Sequence, residues 1–186
     1  MGNDWLVAVE IVLLICIAAG LFLASFSAGK RRAAELALRE YTGELCGVTG
    51  NLYNAFNTAQ IDFGQSMSTA MMYFNGLYGK LLRGSLPYRD ASCVAARAAL
   101  LELHGKFAAV YGAGFTSAAE LSGAERRFFA ALLDALTELQ SALVDDNGAL
   151  LRQATYRKYL AEACGRFAAA ARSLSAPPAV KTGDRR

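Results

Sequence analysis

"YTGELCGVTGNLYNAFNTAQIDFGQSMSTAMMYFNGLYGKLLRG", Tyr41 to Gly84, is the stretch on which the fold of this chain turns. Begun one turn earlier, its apolar residues recur at Leu38, Tyr41, Leu45, Val48, Leu52, Phe56, Ala59, Phe63, Met67, Ala70, Phe74, Leu77 and Leu81, always three or four apart. The mean step is about 3.6 residues, the α-helical period, so the pattern predicts one helix or two in register. Gly43, Gly47 and Gly50 each cost roughly 1 kcal/mol relative to Ala inside a helix, and Thr49 and Asn51 are good caps. A break or kink is therefore expected near 47–51.

The same stretch is short of charge. Leu45 to Gly79 is 35 positions with one charged residue, Asp62, where the chain's own 19% would place six or seven. Opposite the apolar stripe runs a second row, Asn51, Asn54, Thr58, Asp62, Gln65, Thr69, Met72 and Gly76. An ordinary solvated helix face carries charges, and their depletion marks interface cores. Either the domain's own helices surround this segment or another chain covers it. The second alternative predicts that Asn54, Thr58, Asp62 and Gln65 touch a partner, with Asp62 held by a Lys or Arg.

Three further helices are expected downstream. Asp90 is placed to cap one over Ala91 to Tyr111, with Val94, Leu100, Leu101, Leu103, Phe107 and Val110 as its apolar face. Ser117 with Glu120, and Ser122 with Glu125, have capping-box spacing, so the next starts at or just before Gly123 and runs to Asp145. The turn "DDNG" leads to a last helix over about Ala149 to Leu174, stopped by Pro177-Pro178. The fold class is all-α, a single N-terminal transmembrane helix followed by an antiparallel bundle of about four helices. The expected division is anchor 1–29, bundle 30–176 and disordered tail 177–186.

The anchor is "WLVAVEIVLLICIAAGLFLASFS", Trp5 to Ser27, 23 residues with one charge, Glu10. At 1.5 Å per residue it spans a hydrocarbon layer of about 30 Å. The preceding "MGND" lacks the basic region of a cleaved signal peptide, so the segment is read as uncleaved. Lys30, Arg31, Arg32 and Arg39 follow it and only Asp4 precedes it, which by the positive-inside rule puts the N-terminus outside and the bulk of the chain in the cytoplasm. The expected setting is a single-pass protein of a bacterial inner membrane, in contact with the lipid bilayer. Cys46, Cys93 and Cys164 would then remain thiols. Glu10 sits roughly 7.5 Å along the helix from Trp5, either as a tolerated near-interface carboxylate or as a paired group. Cys16, Gly20, Ala24 and Ala28 form a small-residue row that lets a partner helix approach, which makes Glu10, Gly20 and Ala24 partner candidates with the polar row above.

Nothing in the residues points to catalysis. The lone histidine, His104, has no Cys or carboxylate at metal-pairing spacing, and no phosphate loop, nucleophile elbow or Cys-x-x-Cys occurs. No cofactor or metal is expected. A net charge of +3 with scattered basic residues argues against nucleic-acid binding. The expected function is a non-enzymatic, membrane-anchored subunit that scaffolds or assists assembly of a larger membrane complex. Its partners would be other membrane protein subunits, with a second copy of the chain as a further candidate. The rival expectation is a membrane-tethered sensor in which Asn54, Thr58 and Gln65 line a small-molecule pocket inside the bundle.

Overall fold

The computed structural model describes residues 4–58, 62–84 and 86–174, with side chains from residue 12 onward. The Glu10 side chain and the tail 177–186 lie outside the described residues. The described elements are α1 (Asp4–Asn57), α2 (Phe63–Arg83), α3 (Ala91–Tyr111), α4 (Gly123–Leu143) and α5 (Arg157–Arg172), with single 3-10 turns at Ala118–Glu120 and Arg152–Thr155. The all-α expectation is met, with one helix more in the bundle than the spacing suggested.

The difference lies in α1. It runs without a break from the apolar segment into the bundle, straight through the expected kink at 47–51, and stops instead at Asn57. The residues expected to cap a new helix bond within this one. Thr49 Oγ1 meets the carbonyls of Leu45 and Cys46 and also reaches the Gln140 side chain across the bundle, and Asn51 Nδ2 donates to the Gly47 carbonyl at 2.8 Å. Burial of Leu45, Val48 and Leu52 outweighs the glycine cost, since each such side chain contributes about 1.5–3 kcal/mol. The true break is marked by Asp62, whose Oδ1 accepts the Gln65 N–H at 2.6 Å and starts α2.

α1 and α2 therefore form an antiparallel hairpin. Gly47 admits the Tyr73 ring, and a Cβ there would lie 2.3 Å from it. Lys80 Nζ reaches Glu44 Oε1 at 2.9 Å and the Glu40 carbonyl at 2.8 Å. The remaining helices close a ring in the order α1, α2, α3, α5, α4 and back to α1. Through its middle runs a relay of aromatic contacts, Phe56 to Phe129 at 5.5 Å, Phe129 to Phe107 at 5.5 Å and Phe107 to Phe74 at 5.8 Å, which ties α1, α4, α3 and α2 together.

The expected α3 boundaries, Ala91 and Tyr111, are observed. Asp90 stands at its N-cap position, but its carboxylate is taken by Arg157 across the bundle at 2.8–3.1 Å. Ser122 and Glu125 make both bonds of the capping box of α4. The last helix begins later than expected, at Arg157 and not Ala149. Residues 149–156 are used by the Val144–Leu150 bridge, closed around Gly148 at φ +76°, and by the 3-10 turn after it.

Ala34 and Leu38 are the first buried residues of α1, and everything from Val12 to Ala33 is exposed to the rest of the chain. The apolar part of α1 is long and apolar enough to cross a membrane, with a mean hydropathy of 2.3 over its best window, none of which the bundle buries. A core helix of a soluble protein would show the opposite.

Candidate partner-binding face

The end of α1 at Asn57 and the start of α2 at Phe63 change the meaning of the polar row. Asn54 and Thr58 end α1, whereas Asp62 and Gln65 begin α2, so the row folds back on itself at the tip of the hairpin. Asn54 and Thr58 are half-buried there, and Asp62 and Gln65 are exposed. Asp62 was expected to need a basic partner; its carboxylate instead satisfies the α2 backbone, which an N-cap residue does and a mid-helix residue cannot. Thr69 Oγ1 donates to the Gln65 carbonyl at 2.8 Å, and the Thr58 N–H to that of Asn54 at 3.2 Å. These bonds are local, and they leave the Gln65 side chain facing outward.

The bundle covers only the apolar stripe of the hairpin. Between the Glu44–Lys80 pair at one end and Asp62 at the other, the exposed positions include Gly50, Tyr53, Gln65, Ser68, Met72 and Asn75, none charged. Tyr53 and Met72 stand 57% and 59% exposed. On α4 and α5 the exposed positions are those of a solvated protein, Arg126, Arg127, Asp134 and Glu138 on the first and Lys158, Glu162, Arg166 and Arg172 on the second, whereas on α3 they are small or apolar, Val94, Ala95, Ala98, Gly105 and Ala109, beside a single charge, Glu102. Gly43 and Gly50 on the same side would each carry a Cβ into open space, so nothing among the described residues requires glycine there. Gly20 and Ala24 on the apolar segment are likewise uncovered, and Ser27 Oγ donates to the Ala24 carbonyl at 2.8 Å.

Asn54, Thr58 and Gln65 do not line the apolar cavity described among the core residues. That space is about 20 Å³ and is walled by apolar groups such as Leu38, Leu77, Leu100 and Cys164, room for little more than one water. It holds no place for a small-molecule ligand.

Among the described residues no cluster of three His, Cys, Asp or Glu is arranged for a metal. His104 is built into the fold: its Nε2 is 2.7 Å from Asn75 Oδ1, its ring stacks on Tyr78 at 4.2 Å and meets Phe74 edge-on at 5.3 Å. Burial holds its pKa below the ordinary histidine value. Cys93 and Cys164, both buried, meet between α3 and α5, and the Cys164 thiol is pushed far up by its hydrogen bond to Cys93 and by burial. Sequence reading placed Cys164 in the core but not against Cys93, since the 70 residues of intervening chain carry no local signal of that contact.

Comparison of the chain with protein-family models, with curated proteins and with solved structures finds no match.

Proposed function

We propose that this protein is a non-enzymatic, membrane-anchored helical subunit whose bundle docks onto another protein through the outer face of the α1–α2 hairpin. The observation that carries the reading is the absence of charge across that exposed face, bounded by Glu44–Lys80 and Asp62, on a bundle whose α4 and α5 faces are charged in the ordinary way. Uncharged amides, hydroxyls and a Met satisfy or bury one another across a packed surface, whereas a buried charge needs a dedicated partner. The exposed glycines add to this, because a helix pays about 1 kcal/mol for each and recovers it when a neighbouring backbone packs close.

Under this reading the apolar part of α1 spans a membrane, and Lys30, Arg31 and Arg32 behind it favour a cytoplasmic bundle. The test is the mass of the particle extracted gently from native membranes. A defined complex that Gln65→Lys with Met72→Lys dissolves, while the melting temperature stays within the range of ordinary surface changes, is the expected result. A protein that runs as a monomer before and after the substitutions ends the proposal.

A further inference from the structure

The end of the bundle from which the apolar segment emerges is basic, and its charges come from parts of the chain far apart in sequence. Two clefts flank α1 there. One, of about 430 Å³, lies between Lys30 and the α2–α3 connection with Tyr88 and Arg89, and Arg157 reaches its wall. The other, of about 340 Å³, lies between Arg31 and the α4–α5 connection with Arg152 and Tyr156. The Arg31 guanidinium sits 4.8 Å from the Tyr156 ring centre.

α1 is continuous, so it serves as a ruler. Lys30 and Arg31 lie three and four residues past Ser27, or roughly 5–6 Å beyond the apolar span. The polar layer of a bilayer occupies roughly 5–8 Å on each side of its hydrocarbon core. The clefts therefore stand at the depth of lipid phosphates, with two tyrosines at the level where amphipathic rings settle. The acidic groups at this end do not cancel the charge. Glu35 is held by Arg39 at 2.6 Å and Asp90 by Arg157, and the two carboxylates of the α4–α5 turn, Asp145 and Asp146, are outnumbered by Lys30, Arg31, Arg32, Arg89 and Arg152. Arg32, Arg89 and Arg152 are exposed and make no ion pair among the described residues.

We infer that the base of the bundle binds anionic phospholipid headgroups, one in each cleft beside α1, so that the rigid helix and two headgroups together hold the bundle upright on the bilayer. The inference rests on the membrane-spanning reading of α1. A lipid phosphate is favoured over a free one because the clefts lie on either side of a segment of bilayer-spanning length and at headgroup depth.

The experiment uses the full chain in nonionic detergent, titrated with short-chain phosphatidylglycerol, with phosphatidylcholine of the same chain length, and with inorganic phosphate, while melting temperature is followed. Phosphatidylglycerol alone should raise it. Arg89→Gln with Arg152→Gln should shift the required concentration up by about 5-fold per charge, roughly 25-fold for the pair. Arg126→Gln with Arg127→Gln, at the far end of the bundle, should leave it unchanged. An equal response to phosphatidylcholine or to phosphate, or an Arg89/Arg152 variant that titrates like the parent chain, overturns the inference. Alkaline carbonate washing of native membranes separates this from the premise: release of the protein defeats the spanning reading, whereas retention with no anionic preference defeats the headgroup sites alone.

Discussion

His104 shows how a single side chain is decided by its neighbours. Wedged between Tyr78, Phe74 and Asn75, it keeps a depressed pKa because burial disfavours the imidazolium. A folded pKa below the unfolded value of about 6.5 means that its contribution is present above that pH and is lost as pH falls below it. Melting temperature measured from pH 7.5 down to pH 5 should fall, and His104→Gln should flatten that decline. Two glycines make a matched pair at the same scale. Gly47→Ala should destabilise, since the new methyl would lie 2.3 Å from the Tyr73 ring, whereas Gly50→Ala meets open space and should stabilise the isolated protein by about 0.5–1 kcal/mol in urea unfolding. If the hairpin face is a docking surface, Gly50→Ala should at the same time weaken assembly.

At the scale of elements, the α1–α2 hairpin depends on where the chain turns. Asp62 supplies the cap that starts α2, so Asp62→Ala should cost about 1 kcal/mol in denaturant unfolding, and Asp62→Asn or Asp62→Ser should recover most of it. The aromatic relay is the stronger constraint. Phe129 is fully buried and touches Phe56, Phe107 and Phe128, on α1, α3 and its own helix. Phe129→Ala should cost about 3–5 kcal/mol by the same measurement, because the cavity it leaves is walled by three helices that cannot all relax into it.

For the whole molecule, the continuity of α1 joins the apolar segment to the bundle through one unbroken helix. Several of its protons are also held more tightly in the fold than in the unfolded chain. Burial raises Tyr41, Tyr88 and Cys46, while in the Cys93–Cys164 pair the shared hydrogen bond raises Cys164 and lowers Cys93. Groups with raised pKa values contribute stability below their unfolded values, about 9 for the thiols and 10 for the tyrosines, and lose it as pH rises. The urea midpoint should therefore drop between pH 8 and pH 10.5, and Cys46→Ala should make the drop shallower. Protease added outside intact cells should spare the bundle if the basic cluster after the span faces the cytoplasm.

The sequence by itself determined the helical class, the apolar segment, the limits of α3 and the capping box of α4, because each rests on periodicity or on residues three or four apart. Ser122 and Glu125 need no tertiary context to find each other, and neither does the stripe from Leu38 to Leu81. What it could not determine was whether a weak helix stretch would break. Gly43, Gly47 and Gly50 argue for a kink locally, and only the packing of Leu45, Val48, Leu52 and Tyr73 reverses that balance. The same displacement of the break split the row of Asn54, Thr58, Asp62 and Gln65 between two helices and made Asp62 the N-cap of the second. Contacts between distant positions, Cys93 with Cys164, Asp90 with Arg157, and Arg89 and Arg152 beside the exit of α1, belong wholly to the tertiary structure. Local backbone preferences are encoded a turn at a time, whereas which charges gather around one end of a bundle depends on the directions in which all five helices run.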